Sequence, residues 1–253
     1  MSATAMDNVR SATPGQVRRS PSVPAHWPIR RHVAAAETTP AGPLHSVEVT
    51  VPAKTNLTLH VGPAHEEWGG RHALDTIYCA IGVNDVVTAI AKTPGSGFSL
   101  ELSGEHLGDL ASSGSDMRRN HAVLALFAIA RAAGREPDVA LHVNKHIPVG
   151  AGLGGGSADA AATLLAVNTL WGLHWPIERL RDIAATLGAD MPFCLEGGYA
   201  HGTGFGERII PLEDDSSCVQ TLRDRGFAGQ LLVGAYRAQL STPNVYSTFD
   251  KMG

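Results

Sequence analysis

Between Pro148 and Asn168 the chain reads PVGAGLGGGSADAAATLLAVN. Five of the first nine residues are glycine, and an uninterrupted alanine- and leucine-rich helix signal follows. Glycine loses more conformational freedom on folding than any other residue, so such a run marks a place where bare backbone is needed. A helix N-terminus exposes unpaired N–H groups and about half a positive charge, and glycines ahead of it let anionic oxygens reach the backbone. Anion binding at the helix mouth is the chemistry this stretch suggests. The plainer alternative is a tight strand-to-helix turn with Ser157 as the helix cap.

Two familiar phosphate-binding devices do not fit. A Walker loop needs Gly-Lys-Ser/Thr at the helix entry, whereas this chain has Gly156-Ser157-Ala158. Gly150, Gly152 and Gly155 do satisfy G-x-G-x-x-G, but that fingerprint wants a strand after its helix, ending in an acid about 20 residues on. Here the first helix runs into a second one that contains Glu178.

The segments around the loop suggest how it is mounted. From His45 onward, short β-type stretches (HSVEVTV, TNLTLHVG, LDTIYCAIG, DVVTAIAK, GFSLELSG) are separated by Gly, Pro, Asn and Asp, which predicts a largely antiparallel meander. A helix is expected over 120–135, closing on glycine, and a strand over 138–149. Beyond the loop the pattern predicts helices over 157–171 and 177–187, a short one at ADMPFC, strands at GYAHGTG, GERIIPL and AGQLLVGAY, and a last helix opening at TPNVYSTFD. Strands first, then helices flanked by strands, read as an α+β domain with a mostly antiparallel sheet packed on helices.

Bulk properties narrow the partners. With 43% hydrophobic residues in 253, there is enough apolar material for a proper core. A net charge of -4 without a lysine-rich run argues against nucleic acid or an anionic membrane and points to a small molecule. Cys79, Cys194 and Cys218 have neither metal-ligand nor CxxC spacing and read as free thiols of a cytoplasmic protein. There is no apolar run of transmembrane or secretory-signal length. Residues 1–44, rich in Pro, Ser, Ala and Arg, read as a poorly ordered extension.

Four segments carry a resemblance to a known family. PVGAGLGGGSADAAATLLAVN is similar to the P-x-x-x-G-L-G-x-S/G-S-A motif of the GHMP kinases, ATP-dependent kinases of small metabolites. PAKTNLTLHV (52–61) resembles their first motif in the branch acting on 4-diphosphocytidyl-2-C-methyl-D-erythritol, and the triple glycine points to the same branch. LGADMPFCLEGGYAHGTGFGERIIPL (187–212) and LSTPNVYSTFD (240–250) resemble its later segments, so the likeness runs over roughly 46–250.

The resemblance implies a fold of the ribosomal protein S5 domain 2-like type for residues 45–253. It implies ATP and Mg²⁺ as cofactors and phosphorylation of the substrate's 2-hydroxyl in the non-mevalonate route to isoprenoids. By it, Lys54 polarises the accepting hydroxyl and steadies the transferred phosphoryl group, and Asp190 is the base. Without it, Lys54 would read as a solvated lysine and Asp190 as an ordinary cap for the short helix. Pro148, Val149, Gly150, Ala151, Gly152, Leu153, Gly154, Gly155, Gly156, Ser157 and Ala158 would bind ATP, with the Ser157 hydroxyl near Mg²⁺. Asn56, His72, Thr242 and Tyr246 would hold the substrate, His72 reading cytosine and Tyr246 stacking on it.

Departures accompany the likeness. Arg71 stands where that branch carries a stacking tyrosine, and DMRRNH (116–121) replaces its D-N-L. The branch continues past the position of Gly253 into a second, C-terminal domain, so the chain reads as an N-terminal portion. Three alternatives stay open: another GHMP kinase, a nucleotide-binding fragment without turnover, and a structural role of the RNA-binding kind, against which the low basic charge speaks. A homodimer is also left open.

Overall fold

The computed structural model describes residues 31–32, 44–105, 107, 117–227, 231–234 and 242–252. Of the N-terminal extension it therefore covers only Arg31, His32 and Leu44; the rest of that expectation lies outside the described residues.

Seven strands form one sheet: β1 (Arg31–His32), β2 (Ser46–His65), β3 (Arg71–Ala91), β4 (Ser99–Gly104), β5 (Val139–Lys145), β6 (Tyr199–Thr203) and β7 (Arg208–Pro211). The main path is β1-β2-β3-β5-β4, and β6 pairs with β3 and with β7. All pairings are antiparallel except β4 with β5. Among the described residues six α-helices complete the order: α1 (His121–Ala133), α2 (Gly155–Leu170), α3 (Ile177–Ala185), α4 (Met191–Glu196), α5 (Ser217–Asp224) and α6 (Thr242–Met252). Helix α2 packs on β2 and β3, with α1 and α4 against it and α3 against α4. Among the described residues no helix is long and apolar enough to cross a membrane.

Binary patterning explains the layers. In β2, Val47, Val49, Val51 and Ala53 alternate inward and are buried, as are Val87 and Ala89 in β3 and Val139, Leu141 and Val143 in β5. Helix α2 is enclosed nearly all round, with Ala158, Ala160, Ala161, Ala162, Leu164, Leu165, Ala166 and Val167 buried. Its alanines let the sheet and neighbouring helices approach closely, which a helix with one wet face does not need. Asn120 caps α1 by accepting the Ala122 N–H at 2.9 Å, and Gly134 closes it in the left-handed conformation.

Several boundaries differ from the sequence expectation, each for a local reason. The four stretches expected as separate strands at the start are two long ones, because β2 and β3 pair along almost their whole length. Register shifts at Pro52/Ala53, Asn56/Thr58 and Val61/Ala64 let the pair bend rather than end. Pro52, which has no N–H for the ladder, lies at the first of them. Helix α2 begins at Gly155, not Ser157, and its N-cap is Gly154, so Ser157 is not the cap. Helix α5 was not foreseen; Ser216 caps it by accepting the Val219 N–H. Of the strand expected at 228–236, the described part, 231–234, is not strand, and the remainder lies outside the described residues.

Candidate active site

Two sequence-distant elements meet at Lys54. It sits on β2 just past the irregularity at Pro52/Ala53, its backbone N–H donating to Leu153 O at 3.0 Å, so the strand holds the glycine loop directly. Its ammonium lies 3.2 Å from Asp190 Oδ2 and donates to Asn56 Oδ1 at 2.9 Å. Lys54 is only 10% exposed in its side chain while Asp190 is 32% exposed, which leaves the pair open to a ligand on one side. Asp190 stands at the mouth of α4, before Met191-Pro192, but its side chain makes no cap hydrogen bond. Both its oxygens face the site instead: Oδ1 accepts from the Tyr78 hydroxyl at 3.0 Å.

Around the pair the polar groups are chained. Asn56 Nδ2 donates to Thr76 Oγ1 at 2.7 Å, and Thr76 Oγ1 donates to Thr58 O at 2.6 Å. Burial first, then the Asp190 charge and hydrogen bond, push the Tyr78 hydroxyl far above its ordinary pKa, so it stays a neutral donor. Its ring stacks on Phe193 with centroids 4.8 Å apart, which fixes it. Tyr78 thus orients Asp190 from behind. A Tyr78→Phe variant, which keeps the stacking and loses only that donor, is expected to lower turnover about three- to tenfold, in line with one net hydrogen bond of about 1 kcal/mol. Its thermal midpoint should move by only a few degrees, as a fluorescence melt would record.

The loop approaches this pair because of one residue. Gly154 has φ +71°, and a Cβ placed there would lie 2.8 Å from Lys54 Cγ. Both facts require glycine. Beyond it the N–H groups of the first turn of α2 have no intrahelical acceptor. Ser157 lies in that turn, half-buried. Pro148, Val149, Gly150, Ala151, Gly152, Leu153, Gly155, Gly156 and Ala158 form the rest of the loop and turn. His121, the first residue of α1, also borders it: its Nδ1 is 2.5 Å from where a Cβ on Gly156 would lie. Burial and then the Lys145 charge lower the pKa of His121.

A second cluster sits on the other side of Asp190. His72, at the start of β3, stacks on Tyr246 of α6 with ring centroids 5.1 Å apart, and its Nε2 is 2.7 Å from Asp250 Oδ1. Thr242 begins α6 one turn before Tyr246 and is exposed. Burial, then the Asp190 charge, raise the pKa of the Tyr246 hydroxyl. Arg71 is turned onto Phe205, its guanidinium carbon 4.3 Å from the ring centre, and Trp68 flanks the same ring at 6.0 Å.

Four residues beneath the loop or beside the His72–Tyr246 pair were not singled out from sequence: Asp85, Lys145, Asp159 and Asp250. A signal for two existed. The buried alternation of β5 continues from Val139, Leu141 and Val143 onto Lys145, and that of β3 from Ala89 and Val87 back to Asp85, so charged residues occupy core positions. Burial raises Asp159 to a pKa of about 7 against the opposing Lys145 charge. Among the described residues no group of three or more His, Cys, Asp or Glu could hold a metal ion.

Comparison with known proteins identifies the family. The model for the GHMP kinases N terminal domain matches residues 120–198, which span α1, the loop, α2 and Asp190. A 4-diphosphocytidyl-2-C-methyl-D-erythritol kinase of Bifidobacterium adolescentis is 73% identical over 210 residues, covering 83% of this chain and 68% of the relative. One of Streptomyces avermitilis is 43% identical, covering 82% and 63%. The chain thus spans about two thirds of the length of the curated relatives it matches. A crystal structure of 4-(cytidine 5'-diphospho)-2C-methyl-D-erythritol kinase, 37% identical, superposes over 65% of this chain and 55% of that one with a TM-score of 0.51. A homoserine kinase from Cytophaga hutchinsonii, 16% identical with a TM-score of 0.52 over 85% of this chain and 68% of that one, shares the fold. With the glycine loop, the strand bearing Lys54 and the helix mouth bearing Asp190 in one α+β frame, the chain belongs to the 4-diphosphocytidyl-2-C-methyl-D-erythritol kinase family of the GHMP kinases.

Proposed function

We propose that this chain binds ATP at the glycine loop and transfers its γ-phosphoryl group to the 2-hydroxyl of 4-diphosphocytidyl-2-C-methyl-D-erythritol. The observation that carries the reading is the Lys54–Asp190 ion pair at 3.2 Å, held against the loop by the Lys54 N–H to Leu153 O bond. A carboxylate is a far weaker base than the alkoxide it would have to form. Asp190 therefore accepts the hydroxyl proton late, as the bond to phosphorus forms, while Lys54 stabilises the developing alkoxide and the transferring charge. Asn56 keeps the Lys54 ammonium aimed, and Tyr78 keeps Asp190 from turning toward its own helix. Most of the acceleration then comes from alignment and electrostatics rather than from a strong base.

The Ser157 hydroxyl, half-buried in the first turn of α2, fits a Mg²⁺ ion that takes its other ligands from phosphates and water. Such an ion neutralises phosphate charge when bound. In this reading His72 and Tyr246, which stack on each other, receive the nucleobase, and Thr242, one turn before Tyr246 on α6, contacts its phosphates. Arg71, engaged with Phe205, supplies no second stacking ring and leaves room for another GHMP substrate as the alternative. The buried thiols of Cys79 and Cys194 fit a reducing cytoplasm as the setting.

The test is an ADP-release assay of the chain with Mg²⁺-ATP and each of three acceptors: the cytidine-diphosphate alcohol, homoserine and mevalonate. Turnover with the first alone is the expected result. Turnover with either of the others and not with the first would reassign the substrate, and calorimetric binding of Mg²⁺-ATP without turnover on any would mark a nucleotide-binding module.

A further inference from the structure

Beneath the glycine loop lies a charged cluster that the catalytic reading does not use. Lys145 is 1% exposed in its side chain, Asp85 0% and Asp159 4%. The Lys145 ammonium donates to Asp85 Oδ2 and, at 2.6 Å, to Asp159 Oδ2. The other oxygen of Asp85 accepts two backbone N–H groups, those of His146 at 2.6 Å and Ile147 at 2.8 Å. These are the two amides that lead from β5 into the loop, and Asp159 stands on α2, just after the loop's far end. A Cβ built on Gly155 would come 3.3 Å from Lys145 Nζ, so the ammonium lies directly under the first residue of α2. One buried cation therefore ties together β3, β5, the start of the loop and the start of the helix.

We infer that Asp85, Lys145 and Asp159 form a positioning clamp that sets the spacing between the two ends of the loop, and so the aim of the amides that receive the nucleotide's phosphates. This rests on the kinase reading. Stability alone is a weak explanation for the cluster: apolar side chains of similar volume commonly serve a core as well as a buried ion triad does. This triad is also incomplete, since Asp159 Oδ1 is buried with no hydrogen-bond partner among the described residues. What the ions supply that apolar groups do not is direction. Asp85 fixes two loop amides by hydrogen bonds, and a site whose supporting groups hold it to a fraction of an ångström binds its ligand better than one left to packing.

Two variants test the clamp. Asp159→Asn keeps the shape and one acceptor oxygen but removes the charge that ties α2 to Lys145. Asp85→Asn/Lys145→Met/Asp159→Leu removes every charge and leaves none unpaired, so it remains informative if the single change fails to fold. Expected for whichever variant folds with a wild-type near-ultraviolet spectrum is faster amide exchange over residues 146–157 than in the wild type, with β2 and β3 unchanged. Calorimetric affinity for Mg²⁺-ATP should fall at least tenfold, while that for cytidine diphosphate at the His72–Tyr246 pair should change less than twofold. Wild-type exchange and wild-type nucleotide affinity in the triple variant would overturn the clamp and leave the kinase reading intact. Failure of the wild type itself to bind Mg²⁺-ATP would overturn the kinase reading, and faster loop exchange in the variants would still register the clamp on its own.

Discussion

Replacing Asp190 by Asn is expected to lower turnover about 100- to 10,000-fold, the range attributable to a positioned general base. Affinity for Mg²⁺-ATP should stay within twofold. The substitution is nearly isosteric, and the amide oxygen can still accept from the Tyr78 hydroxyl, so the geometry around Lys54 has little reason to change. What disappears is the charge 3.2 Å from the Lys54 ammonium and the capacity to take the hydroxyl proton. Because the acceleration is argued to come mainly from alignment, a result near the low end of the range would still fit, whereas full turnover would remove Asp190 from the reaction. Single-turnover rates with saturating nucleotide, alongside calorimetric titration, separate the chemical step from binding.

Replacing Gly154 by Ala should be nearly as damaging although no chemical group is lost. An alanine at φ +71° costs about 1–2 kcal/mol of backbone strain, and its Cβ would meet Lys54 Cγ at 2.8 Å. The collision falls on the stem of the residue whose ammonium must stay against Asp190. Either Lys54 moves or the loop does, and a misplacement of about 1 Å in such a site can cost on the order of 100-fold in rate. Gly152→Ala is the internal control: its φ is +75°, but a Cβ there meets nothing within 4 Å. It should carry the strain without the displacement. Both variants are expected to lose similar thermal stability, while only Gly154→Ala loses about 100-fold in turnover. Equal kinetic losses in the two would mean that strain in the loop, rather than contact with Lys54, is what matters.

How much of this was legible beforehand differs from residue to residue. The glycine loop implied anion binding by its own residues, whereas Lys54 and Asp190 were singled out by the resemblance of their motifs to a family, and the structure sets Lys54 against both the loop and Asp190. Helix α1 was placed within a residue or two by its apolar spacing, Asn120 and Gly134. The start of α2 was placed two residues late because the glycines were read as loop up to Ser157, while a glycine in the left-handed conformation serves as N-cap and the helix begins at Gly155. The two long strands were divided at Pro52 and Asn84, since punctuation by such residues cannot distinguish a strand that ends from one that bends. Asp250 was passed over inside TPNVYSTFD because its partner, His72, lies 178 residues away.

Taken alone, the amino-acid sequence pointed to a class of chemistry: backbone bared before a helix invites an anion, and the family resemblance of the surrounding motifs singled out the residues proposed to act beside it. It determined too the layers of the fold, since alternation and helical spacing are local properties of the chain. Only the tertiary structure decided which charges face one another. Lys145 looks like a surface lysine in a strand until the sheet register sets it across from Asp85 and the helix lays Asp159 on top, and Arg71 looks free to stack on a nucleobase until Phe205 takes it. Pairings of that kind depend on distance in space, and segments 14 to 134 residues apart along the chain meet only when the core closes.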